Sequence, residues 1–214
     1  MKTFRITAII ILFFFTTVSI TGCASSSKKS TPQFTSMSYY KSDEYDNANV
    51  RRALLLPFTI ESGRDEVIDE ITDAFFVELQ KVSKFDTVMA QGFQDVLSQQ
   101  RDVWGRGLLR TDTVVEAKKR YNVDAIICGT ITQYHPYEPP VLGIKIGMFS
   151  ARSGNIIWSA DAIFDSSKAE VIKLVKAYHK EHYQRMQSLY EWNIILLSVK
   201  RYAQFVAYQM LTTL

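Results

Sequence analysis

The chain has 214 residues, 47% of them apolar, with 25 Lys and Arg against 22 Asp and Glu. That composition excludes collagen-like, low-complexity and wholly disordered chains, and the length supports one complete core without disulfides or metals. The net charge is +3, and Lys2 and Arg5 supply two of those charges within the first 22 residues, so the remainder is nearly neutral and lacks the footprint of a nucleic-acid binder.

The chain opens Met-Lys-Thr-Phe-Arg, continues as an apolar run from Ile6 to Ile20, and reaches Thr21-Gly22-Cys23, the order of an export signal. As a helix that run spans about 22 Å, short of the ~30 Å hydrocarbon core, which favours cleavage over a permanent span. The tetrad Ile20-Thr21-Gly22-Cys23 resembles the bacterial lipobox. The resemblance implies cleavage before Cys23 and acylation of its thiol, as by palmitate, and of its new amino group. An ordinary secretory signal with an incidental cysteine is the alternative. Each buried methylene contributes ~0.8 kcal/mol and a single chain holds only marginally, so several chains would make the anchor stable. Ala24 stands where such families carry Asp for inner-membrane retention, which implies the periplasmic face of the outer membrane.

Three segments are expected: a signal peptide over 1–22, a lipidated N-terminus and flexible tether over 23–49, and one α/β domain over 50–214. The tether stretch is rich in Ser, Lys and Asp without a sustained period. Its Tyr39, Tyr40 and Tyr45 could instead dock on the domain or a partner.

Arg52 to Phe58 is a short apolar run closed by Pro57 and reads as a strand buried on both faces. Ile68, Ile71, Phe75 and Leu79 recur at helical spacing over about 65–82, with Asp65 and Glu66 at the positive end. Lys84 to Met89 reads as a strand, and Gly92 to Gln100 as a short helix. Thr111 or Asp112 is placed to cap a helix that ends near Tyr121, with Lys118, Lys119 and Arg120 in its last turn. Val123 to Thr132 is a Val/Ile/Thr-rich strand. Its Cys128 is expected to pack as a core residue, and with Cys23 acylated no internal disulfide can form.

Tyr134-His135-Pro136-Tyr137-Glu138-Pro139-Pro140 follows, held extended by three prolines. Leu142, Ile144, Ile146 and Met148 then alternate at the two-residue period of a strand, Ser153-Gly154-Asn155 turns the chain, and Ile156 to Phe164 returns. From Ser167 onward the pattern is helical, either as one long helix or as two with a bend near Gln187. The aromatic load around Tyr190 and Trp192 is expected to be core.

Reactive constellations are sparse. The chain contains no G-x-G-x-x-G, G-x-x-x-x-G-K-[ST], G-x-S-x-G or H-E-x-x-H. S-x-x-K spacings at Ser25, Ser26 and Ser38 fall in the tether, which offers no rigid scaffold. His179 and His182 share a helical face beside Glu181, but two ligands do not make a metal site. Asp69 with Asp73, and Glu66 with Glu70, read as a solvated helix face. No cofactor or metal is expected. The proline loop offers Tyr134, His135 and Tyr137 as candidate partner contacts at small entropic cost, with a connector packed on its own domain as the equal alternative. An unpaired strand edge could also add a strand from a second copy or another envelope protein.

Three ordered stretches carry a family likeness. Leu54-Leu55-Leu56-Pro57-Phe58, Val123 to Ile131 with Gly129-Thr130, and Ser153-Gly154-Asn155-Ile156-Ile157-Trp158-Ser159 together resemble envelope lipoproteins of the CsgG, LpoB and PelC kind, whose domain is similar to the N-terminal domain of TolB. The likeness spans residues 51 to about 165. It implies a mixed α/β fold with about five strands flanked by helices, a long C-terminal helical segment, and scaffold motifs without catalytic assignment. The implied role is non-catalytic, in assembly, export or regulation of an envelope structure. Activation of a peptidoglycan synthase is the nearest alternative, and a hydrolase or metal-dependent enzyme the alternative of another class. The connector between Tyr134 and Ile144 is too compact for the long hairpins with which the curli secretion channel forms its barrel.

Overall fold

The computed structural model describes residues 34, 36–62, 65–90, 104, 107–183 and 189–214. The helix expected over 92–100 lies outside those residues. The described chain folds as a mixed α/β structure on one seven-stranded sheet.

Strand β1 spans Ser38–Lys41, β2 Arg52–Leu55, β3 Thr59–Ile60, β4 Asp86–Met89, β5 Ala125–His135, β6 Val141–Ser150 and β7 Ile156–Asp165. Their order is β1-β7-β6-β5-β2-β4, with β3 continuing beside β5. β2 runs parallel to both neighbours, Leu54 standing opposite Val88 on one side and Ile126 on the other. A strand enclosed in this way must be apolar on both faces, which is why Ala53, Leu54, Leu55 and Leu56 are all fully buried. Pro57 ends that ladder where no donor is available. β5, β6 and β7 form an antiparallel meander, with a bulge in β5 between Ile131 and Gln133. Two strands beyond the expected five appear because β3 has only two residues and β1 lies in the stretch read as tether.

Helix α1 spans Asp43–Asn47, α2 Ile68–Val82, α3 Thr111–Tyr121, α4 Ala169–His182, α5 Asn193–Leu196 and α6 Val199–Leu211. The strand period sorts the core into two layers. Leu142, Ile144, Ile146 and Met148 of β6 join Trp158, Ala160, Ala162 and Phe164 of β7 beneath buried residues of α2, α4 and α6. On the other face Leu54, Leu56, Ile126, Cys128 and Phe149 pack with Val114 and Ala117 of α3. The Leu, Ile, Val, Met and Phe side chains among them contribute about 1.5–3 kcal/mol each when fully buried. The residue at the start of α3 is Arg110, in an extended conformation, rather than Thr111 or Asp112. Asp112 still contributes, its Oδ1 accepting the Thr113 amide at 2.8 Å.

The tether expected over 23–49 ends earlier than its composition suggests. Phe34 is buried and its ring stacks on Phe164 at 4.5 Å, β1 pairs antiparallel with β7 from Ser38 opposite Asp161 to Lys41 opposite Trp158, and the Tyr45 hydroxyl donates to the Leu214 carbonyl at 3.0 Å. Polar composition misled because every β1 side chain is exposed. This strand is held by backbone pairing and by its flanking aromatics.

Among the described residues the C-terminal segment is divided into three helices, and the bend expected near Gln187 lies outside those residues. α4 ends at His182, α5 is a single turn, and Ser198, extended, starts α6 with its Oγ accepting the Arg201 amide at 3.4 Å. Leu189 and Tyr190, expected in a core, are exposed, while Trp192 is half-buried. Among the described residues no helix is long and apolar enough to cross a membrane.

Candidate functional site

β5 and β6 run on past the middle of the sheet to their last pairs, Tyr134 opposite Leu142 and His135 opposite Val141, and carry the proline loop at their tip. The Glu138–Pro139 peptide is cis. Pro140 is buried, and its carbonyl accepts the Ser166 amide at 3.0 Å, fixing the loop's return. Tyr134 is half-buried against the larger core, and its phenol pKa is raised, first by burial and then by Glu70 and Tyr137. His135 and Tyr137 point outward. The His135 Nδ1 lies 3.1 Å from the Tyr137 carbonyl, the two rings meet edge to face at 5.8 Å, and Tyr137 is 75% exposed. The expected trio therefore divides. Tyr134 is half-buried against the core, and His135 and Tyr137 form a solvent-facing pair. Cys23 lies outside the described residues.

A second cluster lies on the opposite face of the meander. Trp104 stands over Gly147, where a Cβ would come within 3.1 Å of the indole. Its Nε1 donates to Thr130 Oγ1 at 2.9 Å, and Lys145 Nζ sits 5.1 Å from its ring centre. A side chain at Gly147 would crowd the indole, so that glycine on β6 was the available signal.

The histidines have bland surroundings. The His182 ring stacks on Tyr178 at 4.3 Å, with its Nδ1 3.1 Å from the Tyr178 carbonyl, and His179 stacks on Tyr183 at 5.7 Å. Among the described residues no group of three His, Cys, Asp or Glu is placed to hold a metal ion. Asp69, Asp73, Glu66 and Glu70 are all exposed on or just before α2. Cys128 is buried between strands, and burial pushes its thiol pKa up to about 12, so it stays protonated at neutral pH.

The concavities among the described residues include two that are lined by charged side chains from several elements. A groove of about 390 Å³ lies among Glu78, Lys81, Val82, His182, Tyr208 and Leu211. Inside it the nearly buried Glu78 carboxylate receives Lys81 Nζ at 2.6 Å. A notch of about 120 Å³ lies by Glu44, Lys118, Asp124 and Arg152. The Glu44 carboxyl pKa is lowered, chiefly by the Ser153 hydroxyl that donates to it at 2.8 Å. Neither concavity brings a nucleophile, a base and an orienting group together.

No family model matches this chain, and no curated protein matches it. Solved structures similar to it include the PelC dodecamer from Paraburkholderia phytofirmans, at 11% identity over 64% of this chain and 86% of that one, with a TM-score of 0.44. Lipoprotein GNA1162 from Neisseria meningitidis is 16% identical over 63% of this chain and 99% of its own, with a TM-score of 0.41. The C-terminal domain of LpoB from Escherichia coli is 12% identical over 54% and 83% of the two chains, with a TM-score of 0.36. PelC and LpoB are two of the groups that the sequence motifs resemble. At these identities and scores the likeness concerns the arrangement of elements and defines no ligand, partner or activity for this chain.

Proposed function

We propose that this chain is a lipid-anchored envelope protein, processed before Cys23 and held by acyl chains at the periplasmic face of the outer membrane. Its folded body acts there as a non-catalytic interaction module in assembly, export or regulation. The observation that carries the reading is the order of the N-terminal residues: Lys2 and Arg5, the apolar run to Ile20, then Thr21-Gly22-Cys23, with ten residues between Cys23 and the docked Phe34. The exposed His135–Tyr137 pair supports the second half, because a rigid aromatic on a braced loop costs little to immobilise on a partner.

A photo-crosslinking residue at Tyr137, in the full-length chain expressed in a cell with an outer membrane, tests the interaction role. Trapping an envelope protein or a second copy of the chain is the expected result. Monomer alone, under every growth condition, contradicts it.

A further inference from the structure

α4 and the segment from Leu189 to Arg201 carry exposed apolar and cationic side chains close together. Leu189 is fully exposed, with Tyr190 at 60% and Leu197 at 56%. Trp192 packs half-buried between this apolar cap and the core, and Lys176 Nζ lies 4.6 Å from the centre of its ring. On α4, Lys173, Lys176 and Lys180 recur at i, i+3 and i+7, so all three exposed ammonium groups stand on one stripe. Lys200, also exposed, and Arg201 open α6. Residues 168–201 contain seven Lys and Arg against three Glu, an excess of four that is larger than the net charge of the whole chain. Without this span the protein is acidic.

We propose that this surface rests on an anionic lipid bilayer, the apolar cap of Leu189, Tyr190 and Leu197 entering the interface while the lysine stripe meets the headgroups. The composition distinguishes lipid from protein as the occupant. Lysine is depleted in protein–protein contacts, whereas aromatic and aliphatic side chains rimmed by cations are the usual makeup of an interfacial membrane surface.

Phe34, where the folded body begins, stacks on Phe164, and the Phe164 carbonyl accepts the hydroxyl of Tyr202 at 3.0 Å. Tyr202 lies in the first turn of α6, directly after the Leu197–Arg201 corner. Phe164 thus links Phe34 to the first turn of α6. The charge and exposure of the patch do not rest on the proposed anchor.

The test therefore removes the anchor. The chain from residue 23 onward contains the whole described fold; carrying Cys23→Ser, it is mixed with vesicles of phosphatidylethanolamine alone or with phosphatidylglycerol added, and sedimented. Binding is expected only where phosphatidylglycerol is present, falling by about fivefold for each of Lys173→Gln, Lys176→Gln and Lys180→Gln, since each cation near an anionic surface contributes about 1 kcal/mol. Lipids with brominated tails should quench tryptophan emission, and Trp192→Phe should remove that quenching. All these side chains are exposed or half-buried, so the thermal midpoints of the variants check that the fold is intact. Equal binding to both vesicles, lysine variants without effect, or quenching that persists in Trp192→Phe would overturn the proposal. So would a Leu189→Ser variant that binds phosphatidylglycerol vesicles as well as the parent.

Discussion

The ring of Phe58 lies across Gly129, so closely that a methyl group placed on Gly129 would overlap it. Phe58 is itself fixed, 4.8 Å from Phe75 and with its amide donating to Thr72 Oγ1 at 3.1 Å. One residue further on, the hydroxyls of Thr59 and Thr130 meet at 2.9 Å. Pro57-Phe58 and Gly129-Thr130, two motifs some seventy residues apart in sequence, are thus the two halves of one contact.

Gly129→Ala should cost about 1–3 kcal/mol, because the ring cannot retreat without disturbing Phe75. The urea midpoint should fall accordingly. Phe58→Leu removes the obstruction, so the double variant should lose less than the sum of the single ones. Strict additivity would show that the ring and the glycine do not oppose each other.

Phe34 clamps the N-terminal segment by stacking on Phe164 at 4.5 Å. Phe34→Ala should remove about 3 kcal/mol or less, since the segment can fray before the core opens. Faster proteolysis within residues 36–47 should precede any change in global unfolding. A segment that resists protease as well as the parent would mean that β1 and Tyr45 hold it unaided.

Burial raises the pKa of the Cys128 thiol from 9.0 to about 12, and raises those of the Tyr178 and Tyr202 phenols from their ordinary value of 10.0. For each, the neutral form is favoured by folding. The stability Cys128 contributes is complete below about pH 9 and is lost as the pH rises toward 12, and the phenols act in the same direction from about pH 10 upward. Urea midpoints should decline between pH 8 and pH 11, and Cys128→Ala, though less stable at pH 8, should show a shallower decline. In the native state the thiol should resist alkylation at pH 8 and react only after unfolding.

What was legible in the sequence follows local physics. β2 announced itself by Leu54-Leu55-Leu56-Pro57, α2 by Ile71, Phe75 and Leu79, and the β6–β7 hairpin by strict alternation around Gly154, whose φ of +76° suits a residue without a Cβ. β1 was not legible, because its four side chains are exposed and the strand it pairs with, β7, lies more than a hundred residues away. The end of α4 was misread for a related reason. The helical period read from Ser167 onward takes in Leu189 and Trp192, but period alone cannot tell an inward face from an outward one, and Leu189 is exposed. The lysine spacing at 173, 176 and 180 was the unread signal. Of the proline-loop trio the sequence located all three residues, and only packing could show that Tyr134 turns inward.

The central claim is the lipid at Cys23, since it sets the compartment and the orientation of everything else. The direct measurement is incorporation of a palmitate analogue into the full-length chain in cells, comparing the parent with Cys23→Ser. Strong labelling of the parent and none of the variant is predicted. Equal labelling of both, or none of either, would contradict it.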